Sequence, residues 1–168
     1  MRKIFNLIHS YISPVSYAKS IGVKFGENFR ITGQPIFGSE PYLISIGNNV
    51  TLTKGVTFLN HDGGMGLLRQ KYAGIEIIKP IKIGNNVFVG SNAMIMPGVT
   101  IGSNVIIGAS TVVTKNIPDN VVVAGVPGRV IKTFQEYEEK ALKEAIYIKS
   151  RSNAKARMVE IKRALGII

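Results

Sequence analysis

The chain has two histidines, His9 and His61, and no cysteine, so the candidate bases for chemistry near neutral pH are imidazoles rather than thiolates. His9 lies in an N-terminal run with the apolar spacing of a helix, and we interpret it as structural. His61 stands in the run NHDGG at 60–64, where a regular repeat breaks off. The repeat gives it no packing role, which makes His61 the candidate general base.

A catalytic imidazole needs a partner on its second ring nitrogen, so that the reactive nitrogen stays unprotonated. The sequence leaves three partners open: Glu76 in the same stretch, the adjacent Asp62, or a backbone carbonyl oxygen. Neighbouring residues of an extended chain point to opposite sides, which favours Glu76 over Asp62. Asp62 could instead bind hydroxyl groups of a substrate, or form an ordinary turn with the two glycines that follow it.

The elements that must position these residues follow a six-residue repeat. A large aliphatic residue recurs at every sixth position, usually followed by Gly, with a small or β-branched residue four positions after it. The aliphatic positions are Ile83, Val89, Ile95, Ile101, Ile107 and Val113. A period of six fits neither a helix nor a simple amphipathic strand. It predicts a three-sided coil of short strands, each paired in parallel with the strand one turn away.

The same repeat extends towards the N-terminus. It continues at Ile46, Leu52 and Phe58, and more loosely at Phe25, Ile31 and Phe37. Three extra residues fall within the run SEPYLIS at 39–45, and the stretch 60–80 has no repeat at all. Irregular loops of that length inside a compact domain more often have a function than serve only as connections. We therefore predict an all-β solenoid over 20–132, interrupted by one long loop at 60–80.

The segments on both sides of the repeat are predicted to be helical. Apolar residues over 2–12 follow helical spacing until Pro14, so residues 1–19 are assigned to an N-terminal helix. Residues 133–168 are predicted to be helical, with a Glu-rich start and a basic tail. We expect these helices to cover the two open ends of the coil, since a stacked repeat exposes an edge at each end.

The net charge is +11 and the sequence pI is about 10.0, which favours polyanionic partners. The basic residues lack the interleaved aromatics of a recognisable nucleic-acid-binding module, so nucleic acid is not expected as a partner. No apolar window approaches the roughly 20 residues of a membrane span, and no cleavage site follows the N-terminal run. Together with the lack of cysteine, this predicts a cytoplasmic protein.

Three runs within 83–131 carry a resemblance to a known family: PGVTIG at 97–102, VVTKNIP at 112–118 and AGVPGRV at 124–130. The segment resembles the C-terminal half of the maltose, galactoside and polysaccharide O-acetyltransferases among the hexapeptide-repeat acyltransferases. The resemblance implies a left-handed parallel β-helix with short N- and C-terminal helices. It also implies a homotrimer with active sites between subunits, and acetyl-CoA as acyl donor without a metal.

The same resemblance implies roles for individual residues. His61 matches the family's general base, and Arg129 matches a basic position near the nucleotide phosphates. Contacts with the pantetheine arm fall, by resemblance, at Ser91, Ala109, Thr114 and Lys115. We expect oxyanion donors among the backbone N–H groups near Ser91. The family often has Trp where this chain has Phe88 and Gly where it has Ser110, and neither change removes a functional group.

These features predict transfer of an acetyl group from acetyl-CoA to a sugar hydroxyl, in capsular, exo- or lipopolysaccharide biosynthesis. An antibiotic acetyltransferase of the chloramphenicol or streptogramin type and a sugar N-acetyltransferase remain alternatives. A non-enzymatic β-helix scaffold is disfavoured, because regular threonine ladders are absent. Zinc hydration of carbon dioxide on this fold needs three histidines on the metal, and the loop has one.

The basic tail suggests a further partner. Many of the cationic residues lie in the last twenty residues of the chain, at 149–168. We expect this tail to make peripheral contact with the inner face of a membrane that carries a lipid-linked saccharide acceptor.

Overall fold

The computed structural model describes residues 8–168, which form short strands and helices. The strands are β1 (Lys24–Phe25), β2 (Arg30–Ile31), β3 (Ile44–Ile46), β4 (Thr51–Leu52), β5 (Thr57–Phe58), β6 (Ile81–Ile83), β7 (Val87–Val89), β8 (Met94–Ile95), β9 (Thr100–Ile101), β10 (Val105–Ile107), β11 (Val112–Val113), β12 (Val121–Ala124) and β13 (Arg129–Thr133). The α-helices are α1 (Pro14–Ser20), α2 (Phe134–Glu144) and α3 (Ala154–Ala164), and 3-10 turns span Pro41–Leu43 and Gly63–Leu68.

The strands form three sheets that the chain visits in turn. The first sheet is β1-β3-β6-β9, the second is β2-β4-β7-β10-β12-β13, and the third is β5-β8-β11. Each strand up to β12 pairs in parallel with the strand one turn away, as in the register of Val105 with Val87. This pairing confirms the predicted stacking of short parallel strands. We call the turns from the first to the second sheet corner 1, from the second to the third corner 2, and from the third to the first corner 3.

The core is the column of aliphatic side chains that the six-residue repeat predicts. Among the repeat positions, Leu52, Phe58, Val89, Ile95 and Ile107 have no exposed surface. Strands of two or three residues make few hydrogen bonds each, so this burial supplies much of the stabilisation. Each such side chain contributes roughly 1.5–3 kcal/mol relative to an exposed one. The inward column therefore fixes which residues of each turn face outward, where a site can form.

Corner 1 is built on a ladder of asparagines, one from each turn. Each has a positive φ between 53° and 60°, a conformation that asparagine tolerates better than most residues. The Nδ2 of each of the first four donates to the Oδ1 of the asparagine one turn on, over 2.9–3.0 Å. The ladder comprises Asn28, Asn49, Asn86, Asn104 and Asn120. Its hydrogen bonds satisfy polar groups that the tight corner would otherwise leave unpaired, and they hold successive turns in register.

The N-terminal end of the coil is covered by α1. Ala18 is fully buried and Val15 packs against the core. The prediction of a helix over 2–12 fits residues 8–12, which are helical, and residues 2–7 lie outside the described residues. The expectation that Pro14 ends the helical pattern is wrong, although the assignment of residues 1–19 to helix includes most of α1. Pro14 begins this helix, because a proline in the first turn sacrifices no intrahelical hydrogen bond.

The other end of the coil departs from the parallel pattern. Strand β13 returns antiparallel along β12, with a register shift between Val122 and Val123, and covers the last edge of the second sheet. The chain divides into two compact units, Met1–Phe134 and Gln135–Ile168. The second unit contains most of α2 and all of α3. No helix within 8–168 has the length and apolar character needed to cross a membrane.

We predict that Asn104→Ala destabilises the first unit by more than Asn104→Gly does, with a difference of about 1 kcal/mol. Both variants lose the ladder hydrogen bonds, but only alanine also strains the left-handed backbone at φ 57°. Thermal unfolding at one fixed protein concentration measures the difference. Equal losses for the two variants would mean that backbone conformation at corner 1 is not a constraint.

Candidate active site

The long loop leaves the coil at corner 3, directly after β5, and its two ends are clamped together. The backbone N–H of Lys79 donates to the carbonyl oxygen of Asn60 over 2.7 Å, and that of Asp62 donates to the carbonyl oxygen of Ile77 over 3.0 Å. His61 forms an antiparallel bridge with Ile78 between these two bonds. A short two-stranded neck therefore fixes the backbone of His61, although the residue lies at the start of a twenty-residue excursion.

The buried side chain of Asn60 ties the two ends of the loop together. Asn60 is completely buried, and its Nδ2 donates to the carbonyl oxygen of Lys79 over 3.3 Å. The backbone of Gly38, one turn earlier, lies close to this amide: a Cβ at Gly38 would sit 3.4 Å from Asn60 Oδ1. Gly38 has φ 68°, so glycine supplies both the space and the backbone conformation that the turn needs here.

His61 is paired with a carboxylate from the preceding turn. Its Nδ1 lies 3.2 Å from Oε2 of Glu40, and the exposed fractions of the two side chains are 42% and 16%. Among residues 8–168, the Nε2 of His61 has no hydrogen-bond partner. An imidazole held by a carboxylate at Nδ1 keeps its proton on that nitrogen and presents Nε2 as the acceptor of a proton. The pair is therefore a base with a built-in orienting group, open to solvent on its reactive side.

The prediction that Glu76 orients His61 is wrong in this structure. The Oε1 of Glu76 pairs instead with Nη2 of Arg69 over 2.9 Å, within the loop, and both side chains are about half exposed. Asp62 is not the partner either: its Oδ1 accepts from the N–H of Gly64 over 2.9 Å and caps the 3-10 turn that follows. A backbone carbonyl oxygen is not the partner either, since Nδ1 of His61 contacts the carboxylate of Glu40.

The residues expected to contact the cofactor occupy two different corners. Ser91 follows β7 and Ala109 follows β10, so both lie at corner 2, and the N–H of Ser110 donates to the carbonyl oxygen of Ser91 over 2.7 Å. Ser91 Oγ is 3.3 Å from Oγ1 of Thr53, which lies one turn earlier at the same corner. These residues form a stack along corner 2.

Thr114 and Lys115 lie at corner 3, on the same side as His61. They follow β11, which pairs with β8, and β8 pairs with β5, from which the loop departs. With strands about 4.8 Å apart, His61 and Lys115 are separated by roughly 10 Å along the coil. The width of the third sheet, about 13 Å for four extended residues, separates this corner from corner 2. On one chain, the predicted residues therefore lie at two separate corners of the coil.

Arg129 begins β13, where it is opposite Ala124 in the antiparallel pair. Its Nη1 donates to the carbonyl oxygen of Gly128 over 3.0 Å, and its side chain is exposed. The N–H of Gly128 donates in turn to the carbonyl oxygen of Val112, which fastens this hairpin to the third sheet. Arg129 is thus an exposed cation on a well-fixed backbone, near the end of the coil.

Sequence reasoning missed Glu40, yet a signal for it was present. Three registers across the first turn have an offset of 21 residues: Lys24 with Ser45, Arg30 with Thr51, and Ile36 with Thr57. Glu40 and His61 have the same separation of 21. The three extra residues at 39–45 give this turn the longer offset, and they place an acidic residue directly under the loop histidine.

Comparison with known proteins gives a consistent set of similarities. Residues 80–115 match the family model for the bacterial transferase hexapeptide, which describes six repeats. The Staphylococcus aureus protein named CapG is 49% identical over 151 residues, which are 89% of this chain and 88% of that protein.

Two solved structures are similar in both sequence and fold. A maltose O-acetyltransferase from Clostridium difficile 630 is 42% identical with a TM-score of 0.58, over 67% of this chain and 59% of that one. This chain thus spans less than two thirds of the maltose enzyme. A galactoside acetyltransferase solved in complex with coenzyme A is 34% identical with a TM-score of 0.57, over 84% of this chain and 80% of that one.

We predict that Asn60→Ala loosens the neck of the loop without unfolding the coil. The substitution removes the bond to the carbonyl of Lys79 and leaves a cavity, which costs about 1–3 kcal/mol. Amide hydrogen exchange at Asp62 and Lys79, whose N–H groups close the neck, should become faster by tenfold or more. Unchanged exchange at these two amides would show that the neck is held by other contacts.

Proposed function

The chain belongs to the hexapeptide-repeat acetyltransferases, and we propose that within this family it transfers an acetyl group to a hydroxyl group of a saccharide, in the assembly of a surface polysaccharide. It is an acyl-CoA-dependent acyltransferase, and its donor is acetyl-CoA. The observation that carries the proposal is the pair of His61 and Glu40, which is fixed at corner 3 by the neck of the loop.

In the proposed reaction, Nε2 of His61 removes the proton from the acceptor hydroxyl while the hydroxyl oxygen attacks the carbonyl carbon of the thioester. Glu40 holds the proton on Nδ1 and stabilises the imidazolium that forms. The negative charge on the carbonyl oxygen is met by backbone N–H groups near Ser91 of a neighbouring subunit. The carbon–sulfur bond then breaks, the acetyl ester is released, and His61 returns its proton to the departing thiolate.

We propose that the active unit is a homotrimer of left-handed coils, with each site between two subunits. The support is the division of the predicted cofactor contacts between corner 2 and corner 3. On one chain the third sheet separates these corners, but corner 2 of one subunit can face corner 3 of the next. One groove would then have His61, Thr114 and Lys115 on one wall, and Ser91 and Ala109 on the other.

The phosphates of the donor need cations, and two exposed ones flank the proposed groove. Lys115 at corner 3 is positioned about 10 Å beyond His61 along the coil. Arg129 lies near the same end, on the fixed hairpin that β12 and β13 form. Guanidinium and ammonium groups make charge-assisted hydrogen bonds with phosphate. We assign Lys115 and Arg129 to the nucleotide end of the donor, and His61 to its thioester end.

The acceptor is proposed from the chemistry of similar enzymes. The solved maltose and galactoside enzymes are named for saccharide acceptors. A saccharide hydroxyl has the weak acidity that makes a general base such as His61 necessary. We place the reaction in the cytoplasm, where acyl-CoA donors are made.

We predict that His61→Ala lowers acceptor-dependent thiol release from acetyl-CoA at least a hundredfold. The assay uses maltose, galactosides and nucleotide-linked sugars as acceptors, and follows the free thiol of coenzyme A. His9→Ala is the matched control and should retain wild-type rates, because His9 contacts Ser16 in the N-terminal segment. An acceptor-dependent rate that survives His61→Ala would rule out His61 as the base.

We also predict that Glu40→Gln lowers kcat about tenfold or more, with the KM for acetyl-CoA unchanged, because the amide cannot stabilise the imidazolium. Glu76→Gln makes the same chemical change at the carboxylate paired with Arg69, and should alter kcat by about twofold at most. Thermal unfolding of both variants separates an effect on chemistry from one on folding. Equal losses of kcat in the two variants would contradict the assignment of Glu40.

A further inference from the structure

The segment 145–168 carries a positive charge that the proposed reaction does not use. Residues 145–168 contain six Lys or Arg residues and one acidic residue, Glu160. The carboxylate of Glu160 is already engaged, since it accepts from Ser150 Oγ over 2.6 Å and from the N–H of Lys149 over 2.9 Å. The hydrogen bonds from Ser150, and those from Lys149, hold the pKa of Glu160 below its ordinary value. Glu160 is thus the one negative charge of the segment, and it leaves a surplus of five cations.

Helix α3 has an apolar row along one side. Ala154, Met158, Ile161 and Leu165 follow the spacing that places residues on one face of a helix, the last of them directly after the helix ends. Met158 and Leu165 are 49% and 58% exposed, which is high for large apolar side chains. The last two residues of the chain, Ile167 and Ile168, are exposed as well. The row is thus continued by apolar side chains beyond the helix.

Cations border this row on both sides. At 100° per residue, Lys155 and Lys162 fall on one side of the row and Arg157 falls on the other. A shallow groove on the helix surface is lined by members of both sets: Ala154, Arg157, Met158, Ile161 and Lys162. Glu160 falls towards the opposite face. A narrow apolar row bordered by long cationic side chains is the pattern of a helix that lies in the plane of a membrane surface.

We propose that α3 is a membrane-surface anchor, which lays its apolar row into a bilayer rich in anionic lipids while Lys155, Arg157 and Lys162 contact the headgroup phosphates. The charge of the segment is complementary to such a surface, and each nearby cation adds to the attraction. A polynucleotide would also bind these cations, but it would leave the apolar row exposed to water. The proposal goes beyond acetyl transfer, and it stands whether or not the acceptor is a saccharide.

The test is co-sedimentation of the full-length protein with large vesicles of phosphatidylglycerol and phosphatidylcholine, compared with vesicles of phosphatidylcholine alone. We expect binding to the anionic vesicles that weakens with added salt, and little binding to the neutral ones. Lys155→Glu with Arg157→Glu should weaken binding at least tenfold. Glutamates in the first turn of α3 suit the helix dipole, so the helix itself should persist.

Two further variants decide what the binding depends on. Lys24→Glu with Lys82→Glu changes the net charge equally at exposed strand positions of the coil, and should leave vesicle binding within about twofold of wild type. Met158→Asp with Leu165→Asp keeps every cation and should still weaken binding at least tenfold. The proposal fails if wild type ignores anionic vesicles, or if the coil variant loses as much binding as the α3 variant. It also fails if the apolar variant binds the anionic vesicles normally. Normal binding together with a changed oligomeric state, measured by light scattering, would show that the apolar row contacts a second copy of the chain.

Discussion

The parallel register between successive turns of the coil determines where each functional residue of this protein lies. Because each strand pairs with the strand one turn away, a residue's sheet and corner are set by its position within the repeat. The asparagine ladder at corner 1 and the buried aliphatic column keep that register through turns of 16 to 37 residues. Insertions are accommodated at corner 3, where the chain can bulge outward without breaking a strand. The long loop and the three extra residues at 39–45 both fall there.

This arrangement explains how a loop residue acquires a precise position. His61 would be poorly fixed in an ordinary twenty-residue loop, yet its backbone is bridged to Ile78 and its ring is held by Glu40 from the turn below. The register supplies both contacts, since it stacks Glu40 and His61 at the same corner. The exposed outer part of the loop, with the Arg69–Glu76 pair, is free to vary without disturbing the imidazole.

The sequence was sufficient to predict the stacked strands, the buried column and the interruption at 60–80, because the six-residue period is imposed by the core itself. It did not predict β13, whose formation depends on covering an exposed edge rather than on the repeat, or that Pro14 begins a helix instead of ending one. It also led to Glu76 rather than Glu40 as the carboxylate next to His61. Glu76 is in the same loop as His61, whereas the contact of His61 is with a residue 21 positions earlier, one turn away in the coil. Counting that offset would have identified Glu40.

In the mechanism that we propose, the His61–Glu40 pair lies where the donor thioester and the acceptor hydroxyl meet, in a groove shared by two subunits. A crystal structure of the His61→Ala protein with acetyl-CoA tests it most directly. We expect a trimer in which the thioester carbonyl lies within about 4–6 Å of the vacated imidazole position, close enough for an acceptor hydroxyl between them. A thioester bound far from residue 61, or a groove formed by one chain alone, would overturn this placement of the active site.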